Sequence, residues 1–121
     1  MAHAPEFLAM VEEVRKRIKE ISPEEAASLI QAGALVIDVR DQDEFSGGRI
    51  DGAVNISRGT LEMRISEAVP DKSATIVCYC AGGNRGALAT DTLVRMGYKN
   101  AVSIAGGLKG YRDKEKKSKP P

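Results

Sequence analysis

The stretch from residue 74 to residue 86 reads Ala74-Thr75-Ile76-Val77-Cys78-Tyr79-Cys80-Ala81-Gly82-Gly83-Asn84-Arg85-Gly86. Its apolar part, as far as Tyr79, predicts a strand that is covered on both faces, as in a parallel sheet. The glycines that follow allow a sharp turn, and residues 86–96, closed by Gly97, predict a helix. Cys80 is therefore expected at the carboxyl end of a strand, facing the start of a helix.

Strands and helices alternate along the rest of the chain. Ser22 and Pro23, with Glu25 three residues after the serine, predict a capped helix that runs to Ile30. Further strands are predicted at residues 34–39, 53–56 and 101–104, a helix at 61–68, a polar loop at 41–52 and a last short helix after Gly106-Gly107. This alternation predicts an α/β fold, an open parallel sheet flanked by helices on both faces.

The two ends of the chain differ in character from this central part. Apolar residues recur at spacings of four and three in the first segment, at Phe7, Val11, Val14, Ile18 and Ile21. They predict an extra amphipathic helix in residues 1–20, which we expect to pack on the domain of residues 21–112; a homodimer seam or a docking surface is the alternative. The lysine-rich residues 113–121 predict a disordered basic tail.

Composition and charge exclude several function classes. The 18 basic and 17 acidic residues give a formal net charge of +1, so no overall field would attract nucleic acid or a membrane surface. No apolar run is long enough to span a bilayer, and we expect a cytoplasmic protein. His3 is the single histidine, so we predict no metal site, and no cofactor is implied.

The turn after Cys80 has the composition of an anion site. Residues 81–84 can direct successive backbone N–H groups inward, and the helix dipole and Arg85 add positive charge. Such surroundings favour a thiolate without a histidine base. The alternative interpretation is a buried strand cysteine followed by an ordinary glycine-rich turn. Cys78 lies on the same side of the strand, and we expect it to belong to the core.

These residues resemble the rhodanese family. Cys80 to Arg85 is similar to its six-residue active-site loop, which has the arginine five positions after the cysteine. Other parts of the family signature are found in three places: Val36-Ile37-Asp38-Val39-Arg40 with Glu44-Phe45, the segment Gly48 to Ile56, and Gly97-Tyr98 with Ala105-Gly106-Gly107. The resemblance covers about residues 21–112.

Three positions depart from the family pattern. Arg49 stands where the family usually has histidine, Tyr111 where tryptophan often closes the last helix, and Gly86 where serine commonly follows the arginine. The nucleophile itself is retained. The change at Gly86 removes a hydroxyl group beside the loop.

The resemblance implies a sulfurtransferase with a cysteine persulfide intermediate. Cys80 is then the catalytic nucleophile that takes a sulfane sulfur from thiosulfate or a similar donor and passes it to cyanide or a thiol. Substrate binding is implied for Ala81, Gly82, Gly83, Asn84 and Arg85, and supporting roles for Asp38, Arg40 and Gly86. Covalent catalysis in two half-reactions predicts ping-pong kinetics.

Two other functions remain open at the level of sequence. A persulfide carrier or docking module would deliver sulfur to an acceptor protein. Phosphatases and arsenate reductases use a related loop with five residues between cysteine and arginine, whereas four residues separate Cys80 from Arg85 here. The partners expected are thus a small-molecule donor and acceptor and a sulfur-acceptor protein, with the chain a monomer or a weak homodimer.

Overall fold

A five-stranded parallel sheet organises the computed structural model, which describes residues 3–118. The strands are β1 (Glu20–Ile21), β2 (Leu35–Asp38), β3 (Val54–Asn55), β4 (Ile76–Tyr79) and β5 (Ala101–Ile104), in the spatial order β1-β5-β4-β2-β3. The helices are α1 (Pro5–Arg15), α2 (Pro23–Gln31), α3 (Gln42–Ser46), α4 (Leu61–Ala68), α5 (Asn84–Arg95) and α6 (Gly107–Ser118). None of the helices within residues 3–118 has the length and apolar character needed to cross a membrane.

The sheet separates two apolar cores. Cys78 of β4 faces a core that includes Leu93 of α5, and α4 contributes to the same side. Tyr79, the next residue, faces the opposite core with Ala26 of α2 and Leu108 of α6. Helices therefore cover both faces, which confirms the predicted open α/β sheet and explains why β4 is apolar throughout.

The start of α2 follows the capping pattern of the sequence. Ser22 has extended backbone angles, and its hydroxyl oxygen accepts a hydrogen bond from the N–H of Glu25 at 3.1 Å. Pro23 occupies the first helical position, where its missing N–H group costs nothing. The predicted cap is confirmed.

The first segment is shorter as a helix than the apolar spacing predicts. Helix α1 ends at Arg15, and Ile21 belongs to the edge strand β1, where it pairs with Ile104 of β5. Val11 and Val14 are buried against Ala87 of α5. The stripe thus packs on the domain itself, while Ile21 is buried as part of the sheet.

Two other segments are helical where the sequence predicts irregular structure. The loop of residues 41–52 contains the single-turn helix α3, which begins where the Glu44 carboxylate accepts the N–H of Asp41 at 3.2 Å. Helix α6 continues through residues 113–118, where a disordered tail is predicted, and a Lys109–Asp113 ion pair of 3.1 Å spans one of its turns. Residues 119–121 lie outside the described residues.

Helix α6 begins directly against the turn that follows β4. The N–H groups of Leu108 and Lys109 donate to the carbonyl oxygens of Cys80 and Ala81, at 2.8 and 3.1 Å. Gly107 makes this approach possible, since it has a positive φ of 59° and a Cβ atom there would lie 2.5 Å from the carbonyl oxygen of Cys80. No side chain can occupy that position without displacing backbone.

We predict that Gly107→Ala lowers the free energy of unfolding by about 2 kcal/mol or more, because it adds a backbone clash to a left-handed conformation. Gly59→Ala is the matched control, since a Cβ atom at Gly59 meets nothing within 4 Å. Urea denaturation of both variants measures the effect. Equal stability of the two variants would contradict this account of the α6 junction.

Candidate active site

The turn after β4 surrounds the sulfur atom of Cys80 with backbone donors. The N–H groups of Gly83 and Gly86 donate to Cys80 Sγ at 3.1 and 3.2 Å. Gly83 has a φ of 112°, a conformation that favours glycine, and α5 begins at the next residue. The predicted anion nest is therefore present, and the positive end of the α5 dipole lies beside the sulfur.

The sulfur-bearing residue is buried, whereas part of the loop beside it is exposed. Cys80 is 1% exposed, whereas Ala81 and Gly82 are exposed. Next to Ala81 lies a cavity of ≈ 410 Å³ whose lining includes one carboxylate, that of Asp113, and four basic side chains, those of Arg40, Lys109, Arg112 and Lys116. Positive charges therefore outnumber negative charges in the lining of this cavity.

Cys78 lies within strand β4, two residues before Cys80. Its side chain is fully buried in the core, and burial raises the pKa of the thiol to about 12, although the Thr90 hydroxyl opposes this shift. The thiol of Cys78 is therefore neutral at physiological pH. This placement agrees with the interpretation of Cys78 as a core residue.

Arg85 is held by a carboxylate from α3. Its Nη1 and Nη2 atoms donate to the two carboxylate oxygens of Glu44 at 2.8 and 3.0 Å. This pair lowers the pKa of Glu44 to about 2, against the opposing effect of burial, and the N–H of Asp41 adds to the lowering. Glu44 also raises the pKa of Arg85. The arginine is thus fixed in direction, with its charge partly balanced.

Glu44 is a site residue that the sequence reasoning did not select. It occurs in the Glu44-Phe45 pair of the family signature, which was the signal that could have identified it. Its partner Arg85 is 41 positions away, so no local pattern indicates the contact.

Asp38 and Arg40 form a buried ion pair at the end of β2. Arg40 Nη2 lies 2.8 Å from Asp38 Oδ2, and the two side chains are 7% and 0% exposed. The same Nη2 donates to the carbonyl oxygen of Gly48 at 2.6 Å, and the Asn55 amide donates to the carbonyl oxygens of Asp38 and Arg40. The pair therefore braces the strand end against the segment that leads to β3.

Gly86 allows α5 to lie close to β4. A Cβ atom at Gly86 would stand 3.3 Å from both the Ser103 hydroxyl oxygen and the Cα of Tyr79, and 3.4 Å from the nitrogen of Cys80. A Cβ atom would fit at this position only if these neighbours shifted by a few tenths of an ångström.

Comparison with known proteins places these features in context. The model of the rhodanese-like domain matches residues 22–114. Thiosulfate sulfurtransferase GlpE of Pseudomonas entomophila (strain L48) is 37% identical over 94 residues, which are 78% of this chain and 84% of that protein. The matched family region begins after α1.

Two solved structures are similar over most of the chain. The human single-domain sulfurtransferase TSTD1 has a TM-score of 0.71 at 30% identity, covering 78% of this chain and 96% of that one. A Rhodopseudomonas palustris CGA009 protein of unknown function, described as a possible tyrosine phosphatase, has a TM-score of 0.84 at 30% identity and covers 95% of both chains.

We predict that Glu44→Gln destabilises the protein in a pH-dependent manner. The pKa of Glu44 is lowered from 4.5 to about 2 in the folded state, so its charge stabilises the fold above about pH 4.5 and this contribution is lost as the pH falls toward about 2. Pairs as exposed as this one contribute about 0.2–1 kcal/mol.

Urea denaturation midpoints of the wild type and Glu44→Gln should differ at neutral pH and converge as the pH falls from about 5 to about 3. Glu67→Gln, which changes an exposed carboxylate on α4, serves as the control. A difference between wild type and Glu44→Gln that grows at low pH would contradict the assigned ion pair.

Proposed function

The chain belongs to the rhodanese-like domain family and is a thiosulfate sulfurtransferase, and we propose that Cys80 carries the transferred sulfur as a persulfide. The family membership confirms the resemblance found in the sequence. The observation that carries the proposal is the pair of N–H groups, from Gly83 and Gly86, on Cys80 Sγ. These donors stabilise a negative charge on sulfur in the resting thiolate and in the persulfide anion.

The first half-reaction loads the sulfur. The Cys80 thiolate attacks the outer, sulfane sulfur of thiosulfate, a sulfur–sulfur bond forms, and the sulfur–sulfur bond of the donor breaks. Sulfite leaves with the electron pair of the broken bond. The enzyme then holds a persulfide anion, so that the negative charge stays within the loop of residues 81–86.

The second half-reaction transfers the sulfur to the acceptor. Cyanide or a thiolate attacks the terminal sulfur of the persulfide, the bond between the two sulfur atoms breaks, and the Cys80 thiolate is restored. The first half-reaction converts the Cys80 thiolate into a persulfide anion, and the second converts the persulfide back into the thiolate. A preorganised set of backbone donors therefore serves both steps without rearrangement.

Substrate binding is proposed for Ala81, Gly82, Gly83, Asn84 and Arg85. The small residues leave room for a donor at the exposed mouth of the loop. The basic cavity beside Ala81 supports approach from that side, because thiosulfate is a dianion. Arg85 contributes its charge from the position in which Glu44 holds it.

The cellular setting forms a further part of the proposal. Cys78 and Cys80 are both free thiols, which suits the reducing conditions of the cytoplasm. The α1 stripe is occupied by contacts within the chain, which favours a monomer over a dimer formed through that stripe. A sulfur-acceptor protein would then bind at the mouth of the loop, next to Ala81 and Gly82.

A phosphatase is the second candidate, since one similar structure is described as a possible tyrosine phosphatase. The loop length disfavours it, because four residues separate Cys80 from Arg85, one fewer than in the phosphatase loop.

We predict that thiosulfate and cyanide yield thiocyanate with ping-pong kinetics, and that Cys80→Ala lowers kcat by about a thousandfold or more through loss of the nucleophile. Cys78→Ala is the matched control and should retain most of the activity. Thiocyanate formation, measured by its ferric complex over a grid of both substrates, gives the rates.

Full activity of Cys80→Ala would disprove the proposed nucleophile. Hydrolysis of p-nitrophenyl phosphate by the wild type, together with no thiocyanate, would establish the phosphatase alternative.

A further inference from the structure

The N-terminal helix brings a second arginine to the active-site loop. Arg15, the last residue of α1, donates from Nη2 to the Asn84 side-chain oxygen at 3.2 Å. The same Nη2 lies 3.4 Å from the position that a Cβ atom of Gly83 would occupy. Arg15 therefore contacts Asn84 and lies beside Gly83, the residue whose N–H group donates to Cys80 Sγ.

The position of Arg15 is held from two sides. Its Nε donates to the Glu20 carboxylate of β1 at 3.1 Å, and both side chains are about one-third exposed or less, at 32% and 28%. On α1, Val11 and Val14 pack on α5, the helix that begins at Asn84. The guanidinium thus has little freedom to swing away from the loop.

A second ion pair fixes α1 close to this point. Arg17 binds both carboxylate oxygens of Asp91 on α5, from Nε at 2.8 Å and from Nη2 at 3.0 Å, and this contact lowers the pKa of Asp91. Arg17 therefore anchors the same segment of chain two helical turns beyond the loop. Arg17 is a suitable control for Arg15. It is also an arginine paired with a carboxylate, but its hydrogen bonds to Asp91 do not involve residues 80–86.

The surroundings of the loop make the charge of Arg15 relevant to catalysis. A net negative charge remains on sulfur throughout the proposed cycle, and the incoming donor adds two more. Arg85 stands at the start of α5 and Arg15 at the end of α1, and each is oriented by one glutamate. A guanidinium charge at the low-dielectric edge of a protein acts on a nearby anion more strongly than it would in water.

We propose that Arg15 is a positioning residue of sulfur transfer and the second cation of the anion site, contributed from outside the matched family region of residues 22–114. Its hydrogen bond orients Asn84 and thereby the N–H of Gly83, and its charge favours highly charged donors. The inference rests on the proposed function, in which Cys80 carries the sulfur.

The test compares two donors that differ in charge. Thiosulfate carries two negative charges, whereas methanethiosulfonate carries one and releases a sulfinate in the same step. For Arg15→Gln we expect kcat/KM to fall about tenfold with thiosulfate and about threefold with methanethiosulfonate, because the dianion loses more attraction. Arg15→Lys, which keeps the charge but loses the planar fork, should lower both values and preserve their ratio.

Arg17→Gln is the matched control. It removes the Asp91 pair and should lower the melting temperature, while the ratio of the kcat/KM values for the two donors stays at the wild-type value.

A double-mutant cycle with Asn84→Ala tests the positioning contact. Arg15→Gln should lower kcat/KM less in the Asn84→Ala background than in the wild type. If Arg15→Gln does not fold, Arg15→Lys supplies the same cycle.

An unchanged donor ratio in Arg15→Gln, with both kcat/KM values lowered equally, would overturn the charge role. Additive effects of Arg15 and Asn84 would overturn the positioning role. The failure of this inference is distinguishable from failure of the proposed function. If only this inference fails, Cys80→Ala is inactive and Arg15→Gln is fully active. If the proposed function fails, Cys80→Ala remains active.

Discussion

The structure depends on two hydrogen bonds, from the N–H groups of Gly83 and Gly86 to the sulfur of Cys80. For these bonds to form, the amide groups must point toward the sulfur. Contacts made by the carbonyl groups of the same loop hold the backbone in this orientation. The carbonyl groups of Cys80 and Ala81 point away from the sulfur and accept hydrogen bonds from the first turn of α6. Gly107 permits this close approach, since a Cβ atom there would clash with both carbonyl oxygens, so the last helix helps to shape the loop.

The formal net charge of the chain is only +1, so the anion site depends on positive groups that are placed locally around the loop. The α5 dipole and the inward amides supply partial positive charge, and two arginines stand at the loop, Arg85 at the start of α5 and Arg15 at the end of α1, each oriented by a glutamate. A glutamate lowers the net charge of the site, but it keeps a long side chain in one direction. Preorganisation of this kind is what distinguishes a cradle for sulfur anions from an exposed basic surface.

Local sequence patterns predict a large part of this molecule. The apolar run of β4, the cap at Ser22 and the turn after Cys80 each involve neighbours within a few residues, and the structure confirms them. Features that depend on distant partners are missed. Strand β1 has only two residues, too few to show an alternation of apolar and polar side chains. Arg15 and Asn84, which are hydrogen-bonded, are 69 positions apart in the sequence. Such contacts follow from the packing of α1 on α5, which no repeat in the sequence encodes.

The central claim is that the sulfur resides on Cys80 between the two half-reactions. Intact mass spectrometry after incubation with thiosulfate, followed by peptide mapping, tests it most directly. The account predicts a gain of one sulfur atom on the peptide that contains Cys80, absent in Cys80→Ala and removed by cyanide. A gain that persists in Cys80→Ala, or turnover of thiosulfate with no sulfur bound to the protein, would contradict it.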